Sequence, residues 1–261
     1  MNYYRQSLIW APHTGRIDDF FEVINLSMLE NVHQRSKTGK RFWIYPHRRG
    51  TKIQPRLNKQ NRPFRVTKAL ALDTMPAMLS SIKESLKSYR PRDLSQEAKS
   101  AVLIPLFEYN GNVGLVLIHR SEMTGLHSGQ MGFPGGMVEP EDSGDLVRTA
   151  LRESEEEIML FPEDVQIIGE LEQRQTIVSE LTVKPFVGII PYPYNFSPDP
   201  MEVQEIHTAT LKTLTENVIT GRNSFELPPP IYPVNGKPVW GLTAKMITEL
   251  LEVIGAVIND K

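Results

Sequence analysis

Hydrophobic and polar positions divide the chain into stretches of two kinds. AVLIPLFEY (101–109) and VGLVLIHR (113–120) are short apolar runs separated by Asn110, Gly111 and Asn112. They predict two strands joined by a tight turn, because Asn and Gly tolerate the backbone angles a short hairpin loop needs. IIGELEQRQ (167–175) and LTVKPFVGIIPY (181–192) predict further strands. In TMPAMLSSIKESL (74–86), EVQEIHTATLKTLTEN (202–217) and LTAKMITELLEVIGAVI (242–258) the apolar residues recur at helical spacing, which predicts helices packed on a core. Strands mixed with helices, without regular βαβ alternation, predict an α/β fold in which helices flank a mixed sheet.

The stretch from Gly132 to Leu160, GFPGGMVEPEDSGDLVRTALRESEEEIML, combines both kinds. Gly135 and Gly136 permit a tight turn and a close approach of main-chain groups to a ligand, and a strand is expected to end there. An acidic loop follows, and Ser143 or Asp145 is placed to cap a helix running to about Ile158. On that helix Leu146, Val147, Ala150, Leu151 and Ile158 make one apolar stripe. Glu153, Glu156 and Glu157 stand at i, i+3 and i+4, so Glu153 and Glu157 should border the stripe while Glu156 turns further toward solvent.

Composition adds little until charge is mapped onto position. With 261 residues, 40% hydrophobic and 23% charged, the chain is long enough to bury one sizeable core. No apolar run approaches a membrane span and no leader pattern opens the sequence, so a cytoplasmic protein without a membrane partner is expected. Cysteine is absent, which removes thiol chemistry and leaves oxygen or imidazole as metal ligands. From Asn31 to Leu72 there are 12 Lys or Arg and no Asp or Glu. This predicts a basic, loosely ordered extension over residues 1–72 ahead of a domain over 73–261. A nucleic-acid contact through Phe42, Trp43 and Tyr45 among those charges is the lesser reading, and a solvated tail the favoured one.

Three carboxylates within one helical turn repel one another by a few tenths of a kcal/mol per pair, a cost that a bound cation would relieve. Oxygen-only ligands select hard ions, which points to Mg²⁺ or Mn²⁺. Arg152, beside them, can hold one carboxylate through paired hydrogen bonds. The bland alternative is a solvated acidic helix face, and the glycine turn upstream argues against it.

The order GG, acidic loop, Arg152-Glu153, two residues, Glu156-Glu157 resembles the Nudix box. That pattern is usually written as G, five residues, E, seven residues, then R-E-U-x-E-E-x-G-U. The resemblance implies an α/β/α sandwich whose box helix binds metals that activate water against a diphosphate. Arg152 takes the structural Arg position, and Glu153, Glu156 and Glu157 take the ligand positions. Gly136 and Arg152 stand two residues further apart than usual, so either Glu141 or Asp142 fills the loop-acid position. Ser154 replaces an aliphatic residue. Met159 replaces the closing glycine, so the helix exit is expected to avoid the left-handed turn.

Upstream, LIHRSEMTGLHSGQMGFPGG (117–136) resembles the motif of coenzyme A diphosphatases, L-L-T-x-R-S, three residues, R, three residues, G, three residues, F-P-G-G. Leu117, Arg120, Ser121, Gly129, Phe133, Pro134, Gly135 and Gly136 match, and the second Arg falls on Gly125. The resemblance extends over roughly residues 75 to 261. It implies coenzyme A or an acyl derivative as the small-molecule substrate, cut to 3′,5′-ADP and 4′-phosphopantetheine. Arg120 then contacts a phosphate or makes a structural ion pair. His127 faces the ligand or ties its own loop, and Trp240 is read as a core residue in preference to a stacking platform. The alternatives are a Nudix hydrolase for another nucleoside diphosphate and a non-catalytic module on the same fold.

Overall fold

The computed structural model describes residues 33–35, 41–47, 50–54, 76–92, 94, 97–122, 128–176 and 181–255. They fall into two compact units divided between Val66 and Thr67. In the first, β1 (His33–Arg35), β2 (Arg41–His47) and β3 (Gly50–Gln54) form an antiparallel meander in that order. The expectation of irregular backbone throughout the basic segment therefore does not hold at these strands. The reason is local: β2 carries Phe42, Trp43, Ile44 and Tyr45, residue types that favour extended backbone even among dense charge.

The second unit opens with α1 (Ala77–Ser88), followed by the hairpin of β4 (Ser100–Tyr109) and β5 (Asn112–Arg120). Two short strands, β6 (Met131–Gly132) and β7 (Gly135–Met137), lead to α2 (Leu146–Ile158). Then come β8 (Gln166–Glu170), β9 (Arg174–Gln175), β10 (Thr182–Ile189), β11 (Val203–Thr210) and α3 (Leu211–Asn217). A small hairpin, β12 (Tyr232–Val234) with β13 (Lys237–Val239), precedes α4 (Gly241–Val253).

The main sheet runs β11–β5–β4–β10–β8, with β10 parallel to β4 and the other neighbours antiparallel. Strands β4 and β5 pair only near their turn, from Leu106 with Leu115 to Tyr109 with Asn112. Beyond that they part: β7 pairs with Ser100–Val102 of β4, and β6 with Ile118 and His119 of β5. The peptide from Met131 to Met137 is thereby wedged into the opened hairpin.

Alternate residues of β4 and β5 face opposite helices, as a sheet covered on both faces requires. Ala101, Leu103, Phe107, Val116 and Ile118 cluster with Ala150 and Ile158 of α2. Ile104, Leu106, Leu115 and Leu117 cluster with Leu79, Ile82 and Leu86 of α1 and with Ile247 and Leu250 of α4. The layers are α/β/α around a mixed sheet, as expected.

Four local expectations need correction. Residues 202–217, expected as one helix, are strand β11 followed by α3, because pairing with β5 from Val203 to Thr210 fixes the first half and buries Val203, His207 and Ala209 on it. The predicted strand 167–175 is split into β8 and β9. The glycine pair starts strand β7 rather than ending one. Trp240 is half-buried at the N-cap of α4 instead of lying in the core.

Met159 departs most instructively, for it takes the left-handed conformation, φ 57° and ψ 33°, that its side chain was expected to forbid. Its N–H donates to the Glu155 and Ser154 carbonyls, and Leu160 N–H donates to Ser154 O at 3.2 Å. Ile158 and Leu160 on either side are fully buried. Their burial outweighs the local cost of roughly 1–2 kcal/mol for an L residue in this region. Met159→Gly should therefore raise unfolding stability by about 1 kcal/mol, read from denaturant midpoints at unchanged slope. A loss of stability would show that the Met side chain contributes more than its backbone costs.

Candidate active site

Helix α2 is started by Asp145, whose carboxylate accepts from the N–H groups of Val147 and Arg148 at 3.0 and 3.4 Å. Of the two capping candidates, Asp145 is the one used. Ser143 instead adopts a left-handed conformation in the turn before it. The helix then lies against β4 and β7, so its inner face meets the glycine turn.

The two glycines are needed there for different reasons. Gly135 has φ 151°, and a Cβ on it would overlap the Ala101 carbonyl and lie 2.6 Å from Val102 Cα. A Cβ on Gly136 would lie 2.5 Å from Glu153 Cδ. The close approaches that require these glycines are to β4 and to the Glu153 carboxyl group.

Arg152 is the hub of the loop. Nε and Nη2 donate to the two oxygens of Asp142, each at 3.0 Å, and Nη2 also donates to Met137 O at 2.9 Å. Nη1 donates to Glu153 Oε1 at 2.9 Å and to Glu156 Oε2 at 3.4 Å. Asp142 Oδ2 additionally accepts from Thr149 Oγ1 and Glu139 N–H, both at 2.9 Å. Burial pushes the Asp142 carboxyl up, but the Arg152 fork and the other donors outweigh it and hold the group below the ordinary range. Glu141 is 61% exposed and 4.0 Å from Arg152, so Asp142 is the loop acid that Arg152 holds. Two extra residues in the loop are absorbed by the short helical turn Pro140–Asp142.

Glu157 is 2% exposed, while the side chains of Glu153 and Glu156 are 14% and 33% exposed. The helical spacing predicts Glu156 as the most exposed of the three, as found, but not that Glu157 is buried more deeply than Glu153. Glu157 Oε1 accepts from Arg120 Nη1 at 2.8 Å and Oε2 from Gly135 N–H at 2.9 Å. Arg120 Nη2 donates to Gly135 O at 3.0 Å and Phe133 O at 3.5 Å, so its guanidinium is committed to Glu157 and the glycine turn. Of its two expected roles, the ion pair is the one seen.

Burial raises the Glu157 carboxyl, opposed by Arg120 and the Gly135 N–H. Glu153 is pushed up to about 8 by burial, with the negative charge of Glu157 and Glu156 adding to it against Arg152. Negative charge is thus concentrated in a partly dry site without a full complement of positive charge. Among the described residues, no three carboxylate or imidazole side chains form a ready-made metal cage. An all-carboxylate donor set suits Mg²⁺ or Mn²⁺, which take one or two carboxylates and complete their shell with water and phosphate oxygens. Each carboxylate oxygen retains lone pairs beyond those used by its N–H donors.

His127 and Gly125 lie outside the described residues. Two groups at the site were not anticipated. Thr149 is buried, and its hydroxyl helps fix Asp142. Glu202 is close enough to Glu157 to raise its pKa. Its position at the head of β11 was hidden by the helical spacing of the residues after it.

The chain is similar to proteins of one family. A NUDIX domain profile matches residues 97–214. The uncharacterized Nudix hydrolase NudL of Citrobacter koseri is 34% identical over 168 residues, covering 60% of this chain and 83% of that protein. NudL of Cronobacter sakazakii is 32% identical over 200 residues, covering 70% and 98%. A crystal structure of a NUDIX hydrolase from Alicyclobacillus acidocaldarius covers 61% of this chain and 93% of its own, at 13% identity and a TM-score of 0.43. On the matched profile and on relatives spanned over most of their length, the chain belongs to the Nudix hydrolase family.

Proposed function

We propose that this protein hydrolyses the diphosphate of coenzyme A or acyl-coenzyme A, with a divalent metal, Mg²⁺ or Mn²⁺, held by Glu153, Glu156 and Glu157. The observation that carries the metal site is the stacking of Glu153 and Glu157 against the Gly135–Gly136 turn. When bound, such an ion neutralises phosphate charge and makes a nearby water more acidic. The chain's own groups do the positioning. Arg152 spaces Glu153 from Glu156 and ties both to Asp142, and Arg120 with the Gly135 N–H fixes the Glu157 carboxylate. A diphosphate held by those carboxylates would lie beside the Gly135–Gly136 turn, which Glu153 and Glu157 both contact.

Coenzyme A is supported by the motif spanning 117–136, whose matched residues Arg120 and Phe133–Gly136 meet around Glu157 in the fold. Gly125, where the motif has Arg, favours a second reading, a different nucleoside diphosphate. Initial rates on coenzyme A, dephospho-coenzyme A, NADH and ADP-ribose with either metal decide between them. Coenzyme A should give the highest kcat/KM; a clear preference for ADP-ribose or NADH would transfer the assignment to the second reading.

The raised Glu153 carboxyl gives metal binding a definite pH dependence. Its folded pKa lies above the unfolded value, so in the metal-free protein its contribution to stability is full below the unfolded pKa and is lost as pH rises through about 8. An ion bound by the ionised carboxylate acts in the opposite sense and must displace that proton. Mg²⁺ affinity measured calorimetrically should therefore fall as pH is lowered below about 8, by up to about tenfold per pH unit. Affinity constant from about pH 6 to about pH 8.5 would remove Glu153 from the ligand set.

A further inference from the structure

Helix α4 begins beside the Arg120–Glu157 pair. Gly132, the second residue of β6, stands between the Arg120 side chain and Thr243 in the first turn of α4. A Cβ on this glycine would lie 3.8 Å from Arg120 Nε and 3.8 Å from Thr243 Oγ1. Apart from its chain neighbours, nothing else would come within 4 Å of it. The missing side chain therefore leaves a notch with room for one atom of methyl or oxygen size, a nitrogen on one side and a hydroxyl on the other.

Both polar atoms that flank the notch are unspent. Nη1 and Nη2 of Arg120 donate to Glu157, Gly135 and Phe133. Its Nε has no hydrogen-bond partner among the described residues, and neither has Thr243 Oγ1. Neither atom is sealed from solvent, and the Arg120 side chain is 20% exposed, so a ligand can reach them. Nε–H only donates, and the threonine hydroxyl can rotate to donate as well. Two donors on a guanidinium and a hydroxyl select an anionic oxygen, since a charge-assisted hydrogen bond is the stronger kind. The same guanidinium holds Glu157 Oε1 at 2.8 Å, which places the notch next to the carboxylates proposed to bind the metal.

We infer that Thr243 is a substrate-binding residue, its hydroxyl and Arg120 Nε together taking a phosphoryl oxygen of the substrate at the Gly132 notch. This deepens the diphosphate reading above and rests on it. An oxygen lodged where the Cβ would stand needs to move only about 1 Å toward either donor to reach hydrogen-bond distance. Arg120 then has two edges with two tasks. Its Nη groups fix the Glu157 carboxylate, and its Nε meets the phosphate that the metal draws in. The coenzyme A diphosphatase pattern leaves Gly132 unspecified and stops before Thr243, so it assigns neither of them a role.

The test uses the full chain. Thr243→Val keeps the shape and loses the hydroxyl, Thr243→Ser keeps the hydroxyl, and Gly132→Ala fills the notch. The added methyl meets its two neighbours at ordinary contact distance and the backbone there is not left-handed, so Gly132→Ala should fold. Thr243→Val should raise KM for the best diphosphate substrate by about five- to tenfold with kcat within about threefold, and Thr243→Ser should recover most of the loss. Gly132→Ala should raise KM at least as much. Calorimetric titration with inorganic pyrophosphate in the presence of Mg²⁺ supplies a readout that needs no turnover. Its Kd should rise by about five- to tenfold in Thr243→Val and in Gly132→Ala, while the affinity of Thr243→Val for Mg²⁺ alone stays parental. A merely structural threonine would not split the two in this way. The inference is overturned by a parent that binds no pyrophosphate, by Val and Ser variants that behave alike, by parental pyrophosphate affinity in Gly132→Ala, or by weakened Mg²⁺ binding in Thr243→Val. If the parent cleaves no diphosphate, the proposed function fails, while the pyrophosphate titration still decides the role of the notch. Should Thr243→Val not fold, Gly132→Ala carries the test alone, with the same pyrophosphate result expected and the same one overturning it.

Discussion

Glu157→Gln should lower kcat by about three orders of magnitude at saturating Mg²⁺ or Mn²⁺ while leaving the chain folded. The carboxylate is buried, and each oxygen already receives one strong donor, Arg120 on one side and the Gly135 N–H on the other. The amide keeps the shape but loses the charge that would hold an ion, and it turns an N–H group toward one of those donors. It also leaves Arg120 without its counter-charge in a site where breaking a buried pair costs roughly 3–5 kcal/mol. Part of that penalty is relieved because Arg120 retains the Gly135 and Phe133 carbonyls. Circular dichroism and a thermal scan separate the two effects, and activity within about threefold of the parent would remove Glu157 from the metal site.

Gly136→Ala should be nearly as damaging to activity, although the change adds a single methyl group. At 2.5 Å from Glu153 Cδ, that methyl forces the carboxyl group to move. Glu153 Oε1 is held at 2.9 Å by Arg152, and Arg152 is fixed in turn by Asp142, so the displacement strains the whole hub. Turnover should fall by about two orders of magnitude, in line with the sensitivity of catalysis to ångström-scale misplacement. Gly135→Ala provides the contrast. Its Cβ meets backbone of β4 at a φ that disfavours an L residue, so loss of fold, by about 3 kcal/mol or more, should precede any kinetic reading. A Gly136→Ala enzyme with parental kcat and parental metal affinity would mean that the turn does not place Glu153.

Much of this site was legible because it is local. The i, i+3, i+4 spacing of Glu153, Glu156 and Glu157 put Glu156 outermost, though it did not rank Glu157 below Glu153, and Arg152 one residue earlier had to lie among them. Which loop acid Arg152 grips was not legible. Glu141 and Asp142 differ by one position, and only the turn at Pro140–Asp142 buries the latter beneath Thr149. The helical spacing of residues 202–217 misled for a related reason. Val203, Ile206 and Ala209 fit a helix as well as an edge strand, and hydrogen bonds to β5, more than 80 residues earlier, decide between them. Met159 shows the same competition at a single residue, where burial of Ile158 and Leu160 overrides a backbone preference.

The most direct measurement is product analysis by mass spectrometry after incubation of coenzyme A with the full chain in ¹⁸O-enriched water, with Mg²⁺ or Mn²⁺ and again with excess chelator. The account predicts 3′,5′-ADP and 4′-phosphopantetheine, with ¹⁸O in only one of the two new phosphate groups, and intact coenzyme A when chelator is present. Cleavage that persists in chelator, or coenzyme A left whole with metal while another nucleoside diphosphate derivative is split at its diphosphate, would contradict it.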